Sequence, residues 1–165
     1  MEAGQGFSSS EKASDETPTL RHNRCMSSGE EELKLMYTNA NRLMDKLGEL
    51  EYRVRCEKPD IIAITETWLT PEVQDSEAAL DGYVLLRSDR SVGRKGGGVA
   101  IYVASHIGAV VVAIEADPLG YWEILWCICT TKVMRITVGC VYRTPGLKDN
   151  GQILSSLRCV AGHQR

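Results

Sequence analysis

Two polar side chains follow the first two predicted strands, each at the point where its strand ends. Asn39 follows an apolar segment that begins at Leu33, and Glu66 follows one that begins at Ile61. If these strands are parallel neighbours, their carboxyl ends meet at one edge of the sheet, where open α/β sheets bind ligands. A carboxylate beside an amide is a start for binding a hard cation such as Mg²⁺. The alternative is that Asn39 only turns the chain and Glu66 is solvated.

A strand, a helix and a second strand are predicted to position these two residues. Leucine and valine recur at helical spacing from Leu43 to about Cys56, with charged residues between them. Asn41 is predicted to be the N-cap of this helix. The run 61–64 is almost continuously apolar, which is typical of a strand buried on both faces. The unit is therefore predicted to be a strand–helix–strand crossover.

The rest of the chain is predicted to form strands and then one helix. The helix is predicted over 152–160, and the strand candidates are 83–87, 98–103, 110–115, 121–129 and 133–141. One crossover unit followed by antiparallel strands predicts a mixed sheet of the α/β (α+β) class. A helical bundle and an all-β sandwich are both disfavoured.

Length and composition are those of one globular domain. The chain has 165 residues, of which 43% are hydrophobic and 25% are charged. Apolar runs such as Ile107–Ile114 are far shorter than the roughly 20 residues of a membrane helix. No basic segment followed by an apolar stretch opens the chain. An intracellular protein that is neither secreted nor bound to a membrane is therefore expected.

Residues 1–32 differ from the rest in composition. They are rich in serine, their acidic side chains outnumber their basic ones, and Phe7 is their single aromatic residue. Such a segment has too little apolar surface to offset the entropy of ordering. Residues 1–32 are predicted to be a disordered tail, and 33–165 a domain. Within that domain Cys127 and Cys129 are predicted to be buried and reduced, because no C-x-x-C motif or secretory signal is present.

Four short blocks occur along the chain, namely Tyr37–Leu43, Pro59–Leu69, Lys95–Val103 and Val141–Pro145. In this order and spacing the chain resembles the endonuclease domain of non-LTR (LINE-type) retrotransposons. Those domains belong to the endonuclease/exonuclease/phosphatase superfamily, together with DNase I and the exonuclease-III-like enzymes. The resemblance covers about residues 33–160. It implies a DNase I-like four-layer α/β sandwich that cleaves DNA phosphodiester bonds with Mg²⁺ or Mn²⁺.

The resemblance also assigns roles to three residues. Glu66 matches the metal-binding glutamate of the family. Asn39 matches the first asparagine of an N-x-N-x-L-like motif that helps to position the active site. Tyr142 matches the tyrosine of a V-Y-x-x-P motif near the scissile phosphate, where a neutral phenol can donate a hydrogen bond to a phosphate oxygen. The alternative for Tyr142 is an aromatic side chain in the core.

Four basic residues, Arg87, Arg90, Arg94 and Lys95, lie close together at the tip of the hairpin predicted from 83–87 and 98–103. They would supply a local basic patch that contacts DNA phosphates beside the cleft. The alternative is a solvated hairpin tip. The glycines that follow, 96–98, lack the G-x-x-x-x-G-K-[ST] signature and lead into a strand, so a nucleotide-binding loop is not expected.

Two later blocks of the family, a G-D-[FL]-N-like strand and an S-D-H-like ending, do not occur in this sequence. Residues 33–165 are therefore expected to be a truncated, inactive N-terminal part of the domain. Its partners would be the missing C-terminal half and a reverse transcriptase in a full-length nuclear element. The alternative is a non-catalytic half-domain that at most binds nucleic acid or a partner protein. Most of the second sheet is expected beyond residue 165, which would leave the inner face of the first sheet, including 61–64, 99–103 and 133–141, without a partner.

Overall fold

A computed structural model of the chain describes residues 32–90, 96–117, 120–146 and 151–162. Of the predicted tail, only Glu32 falls within the described residues, and Arg94 and Lys95 also lie outside them. In chain order the elements are β1 Leu35–Asn39, α1 Leu43–Glu57, β2 Ile61–Thr65, β3 Tyr83–Ser88, β4 Val99–Ala104, β5 Gly108–Ala116, β6 Trp122–Thr130, β7 Arg135–Arg143 and α2 Gln152–Gly162. Each predicted helix and strand is confirmed to within two residues at either end.

The first sheet is mixed, as predicted, and its strand order is β1-β2-β4-β3. The pair β1–β2 is parallel, while β2–β4 and β3–β4 are antiparallel. In the parallel pair Asn39 lies opposite Thr65, the residue before Glu66. The two strand ends named in the sequence analysis therefore lie side by side at one edge of the sheet.

Helix α1 packs on the outer face of this sheet. Its buried residues Leu43, Leu50 and Val54 recur at helical spacing and contact apolar side chains of β1, β2 and β4. At the other end of the helix, Lys58 adopts a left-handed conformation and its N–H donates to the Val54 carbonyl at 2.8 Å. This conformation ends the helix just before β2 begins.

The prediction that Asn41 caps α1 is wrong. The residue at the cap position is Arg42, with φ of 80°, and its side chain forms no capping hydrogen bond. The N–H groups of Arg42 and Leu43 donate instead to the backbone carbonyls of Glu66 (3.1 Å) and Thr67 (2.9 Å). The segment after β2 thus satisfies helix donors that a side chain would otherwise serve. It also ties the start of α1 to the residues that follow the second strand.

The second sheet is antiparallel, with strand order β5-β6-β7, and it packs face to face against the first. The expectation that the inner face of the first sheet lacks a partner is therefore wrong. The run 133–141, which was expected on the inner face of the first sheet, lies mostly on β7 in the second sheet. Alternate residues of β6 and β7 point inward and cover β2 and β4. The buried residues that the two sheets share are Ile61, Val99, Ile101, Val103, Leu125, Cys127, Cys129, Val138 and Cys140.

The cysteines in this layer are buried and free, as predicted for Cys127 and Cys129. The Sγ atoms of these two residues are 3.8 Å apart. Cys140 Sγ donates to the Ile64 carbonyl of the first sheet at 3.4 Å. Burial raises the pKa of Cys140 to about 12. The thiols therefore act as small apolar side chains between the sheets.

Helix α2 contacts the outer face of the second sheet through a short chain of hydrogen bonds. Trp126 Nε1 donates to Ser156 Oγ at 3.1 Å, and Ser156 Oγ donates to Glu115 Oε1 at 2.6 Å. The order of layers is helix, sheet, sheet, helix, which confirms the four-layer α/β sandwich. Neither helix, over the residues described, has the length and apolar character needed to cross a membrane.

Candidate active site

Glu66 occupies a left-handed turn directly after β2. Its φ is 55°, and that of Trp68 is 56°. Such angles are uncommon for residues other than glycine, cost of order 1–3 kcal/mol each and cluster at functional sites. Here the turn places a carboxylate at the carboxyl edge of the parallel pair β1–β2, which is the position predicted for Glu66.

Two N–H groups hold the carboxylate of Glu66. Its Oε2 accepts hydrogen bonds from Trp68 Nε1 at 2.7 Å and from the Gly97 backbone at 2.9 Å. Burial alone would raise its pKa. Hydrogen bonds from Tyr142, Gly97 and Trp68, together with the charge of Arg90, outweigh burial and hold the pKa of Glu66 below its ordinary value. The group is therefore an oriented, ionised carboxylate at neutral pH.

The glycine run 96–98 forms the wall of the site next to Glu66. The φ values of Gly96, Gly97 and Gly98 are 88°, 78° and 80°, a conformation that other residues rarely adopt. A Cβ on Gly96 would lie 3.2 Å from Glu66 Oε2, and one on Gly97 would overlap the guanidinium of Arg90. The run therefore lets the backbone approach two charged side chains closely.

The same run pairs with the turn after β2. The N–H groups of Thr67 and Trp68 donate to the carbonyls of Gly98 (3.3 Å) and Gly97 (3.0 Å). Sequence reasoning missed Trp68 and the glycines as parts of the site. Three consecutive glycines at the start of a strand could have indicated the site, because glycine weakens a strand and often marks a place where other groups approach the backbone closely.

Tyr142 comes to the site from the second sheet. It lies on β7 opposite Glu123 of β6. Burial raises its pKa, and a hydrogen bond to Glu66 and the charge of that carboxylate raise it further. Tyr142 is thus a neutral phenol beside the ionised Glu66. The structure brings together the two residues, while their catalytic roles stay predictions.

Asn39 lies at the predicted edge and also turns the chain. Its side chain is exposed, and its Oδ1 accepts a hydrogen bond from the Asn41 backbone N–H at 3.1 Å. Both interpretations of Asn39 are therefore compatible with its position.

The side chain of Arg90 is largely buried. Only 7% of its side chain is exposed, and its Nε donates to Glu123 Oε1 at 2.6 Å, a carboxylate that is 1% exposed. Its guanidinium carbon also lies 5.4 Å from the centre of the Tyr142 ring. Burial would lower the pKa of Arg90, but the hydrogen bond and charge of Glu123 raise it. Contact of Arg90 with DNA stays a prediction. Its side chain is already hydrogen bonded to Glu123 within the protein.

Arg87 is likewise held by groups of the protein. It lies on β3, its side chain is 13% exposed, and it forms ion pairs with Asp89 and Asp75. It also donates to the carbonyls of Val73 (2.9 Å) and Thr70 (2.7 Å). Arg87 therefore fixes the 70–75 segment against β3. The phosphate-contact prediction for Arg94 and Lys95 falls outside the described residues.

The donor set at this edge fits a magnesium ion of the usual kind. The described residues contain no group of three or more His, Cys, Asp or Glu side chains arranged to hold a metal. Mg²⁺, however, commonly keeps several waters and is bound through one or two carboxylates and the phosphate oxygens of a substrate. The ionised, half-buried Glu66, with the Asn39 amide on the adjacent strand, matches that pattern.

Comparison with solved structures shows likeness in fold. The endonuclease domain of TRAS1, a telomere-specific non-LTR retrotransposon, is 19% identical with a TM-score of 0.57, and the match covers 81% of this chain and 55% of that one. TDP2 from D. rerio, complexed with a single-strand DNA product, is 18% identical with a TM-score of 0.53, covering 78% and 52%. The AP endonuclease LMAP from Leishmania major is 19% identical with a TM-score of 0.54, covering 76% and 44%. The chain thus spans about half the length of these structures.

Comparison with curated protein sequences gave no significant match. The family model described as the Endonuclease/Exonuclease/phosphatase family matches residues 31–152, which is most of the chain and includes Asn39, Glu66 and Tyr142. On this match and on the four-layer fold, the chain belongs to the Endonuclease/Exonuclease/phosphatase family.

Proposed function

We propose that this chain is the N-terminal part of a DNA endonuclease that depends on Mg²⁺ or Mn²⁺, with Glu66 as the metal ligand. The observation that carries the proposal is the carboxylate of Glu66. It is ionised, fixed by Trp68 Nε1 and the Gly97 N–H, and placed at the carboxyl edge of a parallel strand pair. Open α/β sheets bind their ligands at such edges.

The residues around Glu66 suit the cleavage of a phosphodiester. The raised pKa of Tyr142 keeps its phenol protonated, so it can donate a hydrogen bond to a phosphate oxygen. Trp68 and Gly97 prevent the Glu66 carboxylate from rotating away from the edge. When bound there, Mg²⁺ would supply positive charge that stabilises the phosphoryl and leaving oxygens.

DNA as the substrate, and a retrotransposon as the source, are also part of the proposal. The sequence blocks and the fold likeness to the TRAS1 endonuclease domain support the retrotransposon origin. TDP2, solved with a single-strand DNA product, supports DNA as the ligand class. A C-terminal half of the domain, a reverse transcriptase and a nuclear location would complete the functional protein. Arg87, Arg90, Arg94 and Lys95 are the predicted phosphate contacts.

Titration with Mn²⁺ tests the metal ligand in the chain itself. Free Mn²⁺ is measured by electron paramagnetic resonance for the wild type, Glu66→Gln and the control Glu72→Gln. Glu72 is an exposed carboxylate, whereas the Gly97 N–H donates to Glu66. We expect a weak site in the wild type and in Glu72→Gln and none in Glu66→Gln, with equal circular dichroism spectra. Equal binding by all three proteins would remove Glu66 as the ligand.

A nicking assay tests the reaction. The 165-residue chain is expected to leave supercoiled plasmid intact in Mg²⁺ or Mn²⁺, because the blocks that would orient the attacking water do not occur in it. A longer reading frame that restores those blocks is expected to nick the plasmid, and Glu66→Ala is expected to abolish nicking. A frame that restores the blocks and binds DNA without nicking would favour the alternative, a non-catalytic binding module.

A further inference from the structure

A buried ion pair joins the two sheets directly behind the site. Arg90 follows β3 of the first sheet, and Glu123 lies on β6 of the second. Their side chains are 7% and 1% exposed, with Nε–Oε1 and Nη2–Oε2 distances of 2.6 Å and 3.4 Å. Desolvating two charges is costly, so a buried pair is a weak source of stability by itself. Its location therefore calls for another explanation.

The Arg90 guanidinium contacts both halves of the candidate site. Its carbon lies 5.4 Å from the centre of the Tyr142 ring, on the side of the second sheet. On the side of the first sheet it packs so closely behind Gly97 that a Cβ there would overlap it. Gly97 in turn donates its N–H to Glu66 at 2.9 Å. One buried cation thus touches the ring of one site residue and the turn that orients the other.

We propose that Arg90, locked by Glu123, is a positioning residue that sets Tyr142 and the Gly97 turn relative to each other. Its catalytic meaning rests on the proposed function, since Tyr142 and Glu66 are the pair it would align. In this role Arg90 acts through its neighbours, Tyr142 and Gly97.

Arginine is suited to this position in a way that lysine is not. The planar guanidinium can hydrogen bond to a carboxylate through its edge and stack on an aromatic ring through its face at the same time. Glu123 accepts hydrogen bonds from the Arg90 Nε and Nη2, and the guanidinium carbon lies over the Tyr142 ring, 5.4 Å from its centre. A lysine ammonium would keep the charge but lose the fork and the flat stacking surface.

The test reads the environment of Tyr142 directly, without any activity. The chain is labelled with 3-fluorotyrosine, and the ¹⁹F resonance of Tyr142, one of six tyrosines, is identified by its loss in Tyr142→Phe. The double variant Arg90→Met/Glu123→Met replaces the pair with apolar side chains of similar length, a change that folded proteins often tolerate. We expect its Tyr142 resonance to shift or broaden, while the other five resonances and cooperative unfolding are retained. Arg90→Lys is expected to give a smaller change of the same resonance.

The control is Arg87→Met, which removes another mostly buried arginine with its ion pairs but none that involves Tyr142. It is expected to lower the thermal midpoint and leave the Tyr142 resonance unchanged. The proposal is overturned if Tyr142 keeps its resonance in the Arg90→Met/Glu123→Met variant. It is also overturned if all six resonances change together in that variant, as they would if the pair only held the fold.

The positioning role and the proposed function fail separately. Loss of Mn²⁺ binding in Glu66→Gln bears on the metal ligand and does not depend on the Tyr142 resonance. A shifted Tyr142 resonance in Arg90→Met/Glu123→Met, with no Mn²⁺ bound by the wild type, would keep the positioning role and refute the metal site. An unshifted resonance together with Glu66-dependent Mn²⁺ binding would refute the positioning role and keep the metal site.

Discussion

Replacing Gly97 by alanine should destabilise the chain far more than the same change at another left-handed glycine. Gly97 and Gly82 have φ values of 78° and 80°, so each alanine meets the same backbone cost of about 1–2 kcal/mol. Around Gly82 nothing lies within 4 Å of the added Cβ, whereas at Gly97 the Cβ overlaps the Arg90 guanidinium. The change Gly82→Ala therefore measures the backbone cost alone.

The additional cost at Gly97 comes from the Arg90–Glu123 pair. A guanidinium at the end of a flexible side chain could usually move aside, but this one is 7% exposed and hydrogen bonded to Glu123. Moving it leaves a buried carboxylate uncompensated, which typically costs about 3–5 kcal/mol. We expect losses in the free energy of unfolding of about 4–7 kcal/mol for Gly97→Ala and about 1–2 kcal/mol for Gly82→Ala.

Urea unfolding followed by circular dichroism and tryptophan fluorescence measures both losses. In the Arg90→Met/Glu123→Met background, Gly97→Ala should lower the free energy of unfolding by little more than Gly82→Ala does. The reason is that a methionine can move away from the Cβ without exposing a charge. If Gly97→Ala alone does not fold, the triple variant can still be compared with Arg90→Met/Glu123→Met to measure the cost of the alanine without the ion pair. Equal losses for Gly97→Ala and Gly82→Ala would refute the reasoning.

Three further outcomes are expected. Leu125→Ala, in the layer between the sheets, should lower the free energy of unfolding by about 2–5 kcal/mol in urea titrations, while Val133→Ala, at a 65% exposed position, should change it little. Burial raises the pKa of Tyr102 from 10.0 to about 12. The contribution of this group to stability is therefore complete below pH 10 and is lost as the pH rises toward 12. Thermal scans should show this loss in the wild type and a smaller loss in Tyr102→Phe. Iodoacetamide at pH 8 should modify the exposed Cys56 in the folded chain but Cys140 only after unfolding, as peptide mass spectrometry would show, and rapid labelling of native Cys140 would contradict the buried assignment.

The secondary structure could be read from the sequence because its signals are local. Alternation in the strands and helical spacing in 43–56 depend on neighbours within a few positions, and strand–helix–strand order is enough to bring Asn39 beside Thr65. Glu66 was found from its position at a strand end and from a family motif, and Tyr142 from a family motif alone. Local spacing alone could not show that they meet, since they lie on different sheets.

The parts that could not be predicted are long-range. Arg90 and Glu123 are 33 positions apart, and nothing in either local segment indicates that one will neutralise the other. A basic residue after a strand is typical of a solvated hairpin tip. The Arg90 side chain is buried only because β6, which carries Glu123, packs against it. The covering of the first sheet by β5–β7 was missed for a similar reason. Periodicity shows which faces are apolar, but it does not show which two faces meet.

The division of the site between two sheets has a consequence for how the chain folds. The strands β5, β6 and β7 follow one another and pair as antiparallel neighbours, so their contacts are local and should form early. Glu66 and Tyr142, in contrast, meet only when the second sheet docks on the first, a step marked by contacts as distant as Cys140 to Ile64, 76 positions apart. We therefore expect secondary structure to recover before the Tyr142 environment in a stopped-flow refolding experiment. In a nascent or partly unfolded chain that holds both sheets, Glu66 and Tyr142 would not yet lie together, so the timing of docking would set when the candidate site first forms.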